Sequence, residues 1–190
     1  AMIFGVSPEE VQPEMRRTAK TINFGVIYGM SAFRLARQLG ISRTMAKSFI
    51  DSYFATYSGV QDFINSTIEQ AEKEGFVETI NGRRRYIKAI NSANKTEKAA
   101  AERIAINTPI QGSAADIVKK AMIKVHAELS EKFPEAKLLL QVHDELIVEC
   151  PENQAEEVAK IMKTSMESVT QLSVPLKVSV EIGKRWGEFH

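Results

Sequence analysis

Two apolar runs on either side of a short polar turn constrain the fold of this chain more than any other feature. The runs cover 138–142 and 146–150, and the residues between them include His143, Asp144 and Glu145. Apolar runs of this length joined by so few residues predict an antiparallel β-hairpin. The hairpin would carry adjacent carboxylates at the tip of a buried pair of strands.

Helical periodicity covers most of the remaining chain. Gly40 and Gly75 are typical helix stops, and Ser42 is a typical helix start that follows Gly40 closely. Pro109 and Gly112 must kink or divide the longest helix. The predicted helices cover about 12–29, 31–39, 42–57, 60–74, 94–132 and 153–170.

Two further β signals complete the pattern. The Asn81-Gly82 pair lies between β-prone residues and predicts a hairpin over about 77–88. Alternation of apolar and polar residues over 176–182 predicts a final strand. The order of elements therefore predicts an α+β fold, with an antiparallel sheet towards the C-terminal end that is backed by helices.

Composition excludes several classes of protein. Hydrophobic residues make up 44% of the 190 residues and charged residues 26%, the balance of a globular protein and not of a disordered chain, a collagen or a coiled coil. No apolar stretch approaches the roughly 18 residues that a membrane helix needs. A single cysteine, Cys150, excludes an internal disulfide and cysteine-rich zinc sites. With no signal-peptide pattern at the N-terminus, we predict a cytoplasmic protein.

Charge is distributed in alternating blocks although the net charge is only +1. The sums are +4 over 1–50, −5 over 51–82, +7 over 83–124 and −5 over 125–190. Two basic blocks of this size suit a protein that meets a polyanion along one face. The alternative is that charge simply fluctuates from helix to helix.

The first predicted helix carries a slanting stripe of two cations followed by two aromatic residues. Arg16, Lys20, Phe24 and Tyr28 are each four residues apart, so they follow one another along about 18 Å of helix. A nucleoside triphosphate has the same polarity, with a charged tail, then a sugar and a base. The cations would neutralise phosphates, and the aromatic rings would stack on the sugar and base. The alternative is a helix with solvated cations and two core aromatics.

Three other groups of residues are weaker candidates. Asp144 or Glu145 could bind a hard divalent cation through oxygen, although a polar turn is common in any hairpin. Asn107 and Gln111, at i and i+4, could read acceptors in a minor groove, or could cap helices around Pro109. The arginine run 83–85 follows a tight turn and suits phosphate contacts, although such runs are usually solvated.

Four segments together resemble one enzyme family. The run Arg-Arg-Thr-Ala-Lys-Thr-Ile-Asn-Phe-Gly-Val-Ile-Tyr-Gly over 16–29 is similar to the nucleotide-binding fingers helix of family A DNA polymerases, and Gln-Val-His-Asp-Glu over 141–145 to their palm carboxylate motif. Asn-Gly-Arg-Arg-Arg-Tyr over 81–86 and Asn-Thr-Pro-Ile-Gln-Gly-Ser-Ala-Ala-Asp over 107–116 match in order and spacing. The resemblance covers essentially the whole chain and is closest to the bacterial branch of the family.

This resemblance implies a role for each candidate residue. Arg16 and Lys20 would bind the triphosphate, and Lys20 would also donate a proton to the leaving pyrophosphate. Phe24 would stack on the incoming nucleotide, and Tyr28 would occupy the template base position. Asp144 would hold catalytic Mg²⁺ in a two-ion site, with Glu145 close by. The residues implied to contact primer-template DNA are Tyr28, Arg85, Asn107, Gln111 and His143.

The resemblance also implies what this chain lacks. Residues 1–90 would form the fingers and 91–190 the later part of the palm, so the thumb and the first palm aspartate of the two-metal site are absent. We therefore expect a fragment that is inactive alone and has an exposed sheet edge through which it could self-associate. A bacterial, nucleoid-associated location is implied. The alternatives are a fragment of a single-subunit RNA polymerase and a non-catalytic DNA-binding module.

Overall fold

The computed structural model describes residues 4–188. The chain divides into two compact units, with the boundary in the sequence between residues 110 and 111. Each unit combines helices with one antiparallel hairpin, so the predicted α+β fold class is confirmed. The expected fingers–palm boundary at 90/91 is a division by function and stays a prediction. No helix within 4–188 is both long enough and apolar enough to cross a membrane.

Four helices form most of the first unit, and their ends follow local capping signals. The Oγ atoms of Ser31 and Ser42 accept hydrogen bonds from backbone N–H groups three residues later. Gly40 and Gly75 close helices with φ of 66° and 75°. The predicted break at Ser58-Gly59 falls instead at Tyr57, one residue earlier. The helices are α1 (Pro13–Ile27), α2 (Ala32–Leu39), α3 (Arg43–Thr56) and α4 (Ser58–Glu74).

The carboxyl end of α1 is closed by a Schellman motif. The N–H of Met30 donates to the carbonyl of Gly25 at 2.7 Å, and the N–H of Gly29 donates to that of Val26 at 3.0 Å. Gly29 has φ of +72°, which a side chain would disfavour. The Met30 side chain covers Gly25 so closely that an added Cβ would lie 3.0 Å from the sulfur. Gly29 is therefore the glycine that the end of α1 requires, whereas Gly25 is covered only by a flexible side chain.

The buried side of α1 joins the core of the first three helices. Ile22 and Val26 are buried against residues of α2 and α3. This packing fixes the opposite side of α1 towards solvent. The buried members of the cluster are Ile22, Val26, Leu35, Ala36, Ala46 and Tyr53.

The first hairpin follows α4 and is organised by a buried threonine. Strands β1 (Phe76–Glu78) and β2 (Arg84–Tyr86) pair antiparallel, with Val77 opposite Arg85. The Thr79 hydroxyl accepts from the N–H groups of Asn81 and Arg83, and its carbonyl accepts from Gly82. The hairpin prediction is confirmed, although a five-residue connection replaces the two-residue turn that Asn81-Gly82 favours.

The predicted long helix is divided at Pro109 and Gly112. Helix α5 (Lys95–Asn107) begins at Asn94, whose Oδ1 accepts from Thr96 and Glu97, and α6 (Ser113–Lys132) belongs to the second unit. The segment between them, Thr108–Gly112, is π-helical. Such turns are rare and are frequent at functional sites.

The second unit packs its helices on one face of the second hairpin. Strands β3 (Lys137–Val142) and β4 (Glu145–Glu149) pair antiparallel, and β3 has a bulge at Leu139. Helix α7 (Ala155–Glu167) packs against α6. The buried residues of this core are Val125, Leu129, Ala136, Leu146 and Val158. The predicted sheet backed by helices is therefore present.

The prediction of a strand over 176–182 is wrong. Burial alternates as expected, with Leu176, Val178 and Val180 half-buried between exposed residues, but no described strand pairs with this segment. The N–H of Val178 donates to a carboxylate oxygen of Glu167 at 2.9 Å instead. A strand needs a ladder partner, and the side-chain pattern of one segment cannot supply it.

Candidate functional site

Three of the four residues of the stripe predicted on α1 are exposed, and Tyr28 is half-buried. Arg16 and Lys20 face solvent, and Phe24 exposes 57% of its surface. The rings of Phe24 and Tyr28 lie nearly parallel, 12° apart, with centroids 6.4 Å apart. Phe24 is therefore not a core residue, which excludes the alternative that both aromatic residues of the stripe belong to the core. The structure therefore places Arg16, Lys20 and Phe24 on the exposed side of α1, with the half-buried Tyr28 immediately beyond its end.

An open cleft of about 220 Å³ lies beside the amino-terminal half of this stripe. Four of its lining residues come from α1, and the fifth is Tyr57 at the junction of α3 and α4. Sequence reasoning missed Asn23 and Tyr57. Helical spacing from Lys20 could have indicated Asn23, but no local signal connects Tyr57 to α1. The lining residues are Arg16, Ala19, Lys20, Asn23 and Tyr57.

The arginine run on the first hairpin is partly engaged within the protein. Arg84 forms an ion pair with Glu78 at 2.7 Å and lies over the Phe76 ring, 4.4 Å from its centroid. The hydrogen bond that Nε of Arg84 donates to the Glu78 carboxylate raises the pKa of Arg84 above its usual value. The Nη1 atom of Arg85 donates to the Thr108 hydroxyl at 3.3 Å. The side chains of Arg84 and Arg85 are thus held by specific contacts within the protein.

The two candidate amides flank the π-helical segment in different ways. Asn107 is the last residue of α5, and its Oδ1 is buried without a hydrogen-bond partner among residues 4–188. A buried acceptor of this kind is uncommon in native proteins. Gln111 lies inside the π-helical segment and is exposed. The α-helical spacing that places i and i+4 on one face does not continue through this segment.

The tip of the second hairpin carries the candidate carboxylates. His143 and Asp144 form a two-residue turn, because Val142 pairs directly with Glu145. His143 has φ of +53°, a conformation that glycine usually adopts at the first position of such turns. Its carbonyl accepts a hydrogen bond from Nε2 of Gln141 at 2.8 Å. Asp144 is exposed, whereas Glu145 is already the first residue of β4.

A divalent cation would find an incomplete site in this chain. Within 4–188, no group of three or more histidine, cysteine, aspartate or glutamate side chains is placed to hold one ion. Asp144 is accessible and can supply one hard oxygen ligand, but magnesium needs several ligands near 2.1 Å in octahedral geometry. The residues present therefore do not make a complete metal site.

The predicted residues fall in both compact units. Those in the first unit are Arg16, Lys20, Phe24, Tyr28, Arg85 and Asn107, and those in the second are Gln111, His143, Asp144 and Glu145. Within the first unit the α1 stripe is continuous, and Arg85 contacts Thr108, the residue next to Asn107. Within the second, the residues 143–145 lie together at the hairpin tip.

Comparison with known proteins identifies the family. The family model described as DNA polymerase family A matches residues 1–188. The chain belongs to this family. It is 53% identical over 188 residues to DNA polymerase I of Borreliella burgdorferi and 54% identical over 190 residues to that of Treponema pallidum. This chain also resembles a solved structure, which is described as the POL domain of Pol1 from M. smegmatis in complex with DNA primer-template and dNTP.

The structural match is close, but each of these three matches covers only part of the relative's length. The M. smegmatis structure superposes with a TM-score of 0.90 at 43% identity, covering 94% of this chain and 31% of the other. The matches cover 99–100% of this chain but only 19–21% of the length of the two curated relatives. This family A chain therefore spans about a fifth of the length of the bacterial polymerases it matches.

Proposed function

We propose that this chain supplies the nucleotide-binding fingers surface and part of the palm to an enzyme of template-directed DNA synthesis, which adds deoxynucleotides to a primer 3′ end. The stripe on α1 carries this proposal. Two cations and the Phe24 ring face solvent, and the half-buried Tyr28 ring lies nearly parallel to Phe24, in the order of the charged tail, sugar and base of a nucleoside triphosphate. The family match supports DNA synthesis over the alternative of a single-subunit RNA polymerase.

The proposed binding of nucleotide follows the stripe. Arg16 and Lys20 would bind the phosphates as charge-assisted donors, and Lys20 would donate a proton to the leaving pyrophosphate. Phe24 would lie against the sugar and base, and Tyr28 would occupy the template base position until the fingers close. The two rings already lie parallel, so a planar base can stack on them with little rearrangement.

The proposed partner of the remaining residues is primer-template DNA. Arg85 and Gln111 are exposed, and the buried Oδ1 of Asn107 has no hydrogen-bond partner among residues 4–188, so a ligand that moves into its surroundings could provide one. His143 is exposed beside Asp144, where it could meet a primer end. The M. smegmatis relative is described in complex with primer-template and dNTP, which supports the same two partners here.

The proposed metal is Mg²⁺, held jointly by Asp144 and by a carboxylate outside this chain. Asp144 would supply one oxygen ligand, and the bound metal would supply Lewis-acid chemistry for phosphoryl transfer. Asp144 lies in the turn and Glu145 is the first residue of β4, and within 4–188 the two belong to no group of three or more metal-ligating side chains. The chain alone would therefore be inactive, and the free edges of its second hairpin could pair with another copy.

Primer extension tests this proposal. The 190-residue chain alone should not extend a primer in the presence of Mg²⁺, whereas its mixture with a polypeptide carrying the remaining part of a family A polymerase should. Asp144→Ala should abolish the recovered extension, while Asp62→Ala, which removes an exposed carboxylate of α4, should not. Robust extension by the chain alone would contradict the proposal, and so would a recovered activity that Asp144→Ala leaves intact.

A further inference from the structure

The cleft beside α1 contains two polar residues that the stripe does not include. Arg16, Lys20 and Asn23 form its α1 side, and Tyr57 lines it from a segment that is distant in sequence. We propose that Tyr57 and Asn23 complete a polyphosphate site with the two cations. Tyr57 would thus be a further contact residue for the phosphate end of a nucleotide. This inference rests on the proposed function in taking a nucleotide as the ligand.

The size of the cleft selects one end of the ligand. Its volume of about 220 Å³ is below the roughly 300–1,000 Å³ of cavities that enclose drug-sized molecules. A chain of phosphates fits this volume, and the rest of a nucleotide would extend from the open side of the cleft. The rings of Phe24 and Tyr28 do not line the cleft and lie further along α1, where a sugar and base would extend from it.

The chemistry of the lining selects an anion. The guanidinium of Arg16 and the ammonium of Lys20 are donors without acceptors, and the Asn23 amide and the Tyr57 hydroxyl can donate as well. No carboxylate of the described part of the chain lines the cleft. The nearby Glu14 pairs with Arg17 at 3.0 Å instead. Phosphate oxygens are acceptors only, so each polar lining residue can contribute a hydrogen bond to them.

Tyr57 is held in place before any ligand arrives. Its N–H donates to the carbonyl of Tyr53 at 2.8 Å, and its carbonyl accepts from the N–H of Val60 at 3.0 Å. Its ring lies 5.0 Å from that of Tyr53, which is buried in the first core, while 46% of Tyr57 remains exposed. An anchored ring with an accessible edge loses little conformational entropy when its hydroxyl binds a ligand.

Binding measurements on the 190-residue chain test the inference. Isothermal titration calorimetry would give Kd values for dATP, inorganic tripolyphosphate, pyrophosphate and dAMP. Tyr57→Phe keeps the ring and removes only the hydroxyl, so it should weaken binding of dATP and of tripolyphosphate by about three- to tenfold. Asn23→Ala should weaken both by a similar factor. Binding of dAMP, which lacks the polyphosphate, should change by less than twofold in both variants.

Two controls separate failure of this inference from failure of the proposed function. Tyr86→Phe removes the hydroxyl of an exposed tyrosine elsewhere in the same unit and should leave all four Kd values unchanged. Arg16→Ala and Lys20→Ala test the nucleotide role of α1 itself. If these two weaken dATP binding at least tenfold while Tyr57→Phe and Asn23→Ala stay within twofold of wild type, the inference is overturned and the proposed function stands. If none of the four variants affects dATP binding, both are overturned.

Pyrophosphate separates the two sources of a polyphosphate. A site for the triphosphate tail of the substrate and a site that retains the pyrophosphate product share the same chemistry. Loss of affinity in Tyr57→Phe for dATP and tripolyphosphate but not pyrophosphate assigns Tyr57 to the substrate. Equal loss for all three assigns it to both. Equal loss for dAMP as well would place the contact at the nucleoside and overturn the inference.

Discussion

Replacing Gly29 with alanine should destabilise the first unit by about 1 kcal/mol. Gly29 has φ of +72°, and an L-residue in the left-handed region costs about 1–2 kcal/mol. An added Cβ would also lie 3.3 Å from Cγ of Arg103 and 3.5 Å from Cδ1 of Ile106, which requires only small shifts. Alanine lowers the entropy of the unfolded chain, and this offsets about 0.4–1 kcal/mol of the cost.

Three other glycines of the same unit separate these contributions. Gly40 and Gly75 have φ of +66° and +75° with nothing within 4 Å of an added Cβ, so their alanine variants report the backbone cost alone. Gly25 lies inside α1, where alanine gains about 1 kcal/mol of helix propensity against a 3.0 Å approach to the flexible Met30 side chain. Gly25→Ala should therefore be close to neutral.

Urea denaturation followed by circular dichroism measures all four variants. Gly29→Ala should lower the transition midpoint without changing the slope m. Gly40→Ala and Gly75→Ala should lower it by a similar or slightly smaller amount, and Gly25→Ala should leave it in place. The reasoning fails if Gly29→Ala matches the wild type, or if Gly25→Ala is the more harmful change at the end of α1.

Two further predictions concern ligands. Changing Arg83, Arg84 and Arg85 together to alanine should flatten the salt dependence of binding to primer-template DNA, since each lost phosphate contact removes about 0.9 from the slope of log K against log salt. Fluorescence anisotropy from low to physiological salt would measure this slope. An unchanged slope would exclude the hairpin from the DNA-binding surface. In a complete family A polymerase that contains this chain, Phe24→Tyr should relax selection against dideoxynucleotides, because the phenylalanine ring has no hydroxyl to replace the missing 3′ group. Equal ratios of dideoxynucleotide to deoxynucleotide incorporation in the wild type and the variant would show that Phe24 is not beside the sugar.

Sequence reasoning succeeded where the signal and its consequence are close together in the chain. Ser31 and Ser42 cap helices through groups three residues away, and Gly40 and Gly75 end helices through their own backbone. Helical spacing gave the order of Arg16, Lys20 and Phe24 along α1, although it left open whether the aromatic rings are buried. In each case a few neighbouring residues contain all of the physics.

Sequence reasoning failed where contacting residues lie far apart in the sequence. The segment 176–182 has the side-chain alternation of a strand but lacks a ladder among the described residues, since its alternation does not reveal what it pairs with. Tyr57 lies 37 positions from Lys20 in the sequence and still lines the same cleft. The contact between Arg85 and Thr108 spans 23 positions. Packing of whole helices sets these meetings, and no short pattern encodes it.

The bulge in β3 determines where this hairpin can change length. Leu138 pairs with Val148 and Leu140 pairs with Ile147, so Leu139 has no opposite residue of its own. A chain without Leu139 could keep every other pairing and the same two-residue turn, whereas loss of any residue from 140 to 142 would shift the ladder against the tip. Leu139 is therefore the position at which a polymerase of this kind can gain or lose a residue while Asp144 stays at the turn.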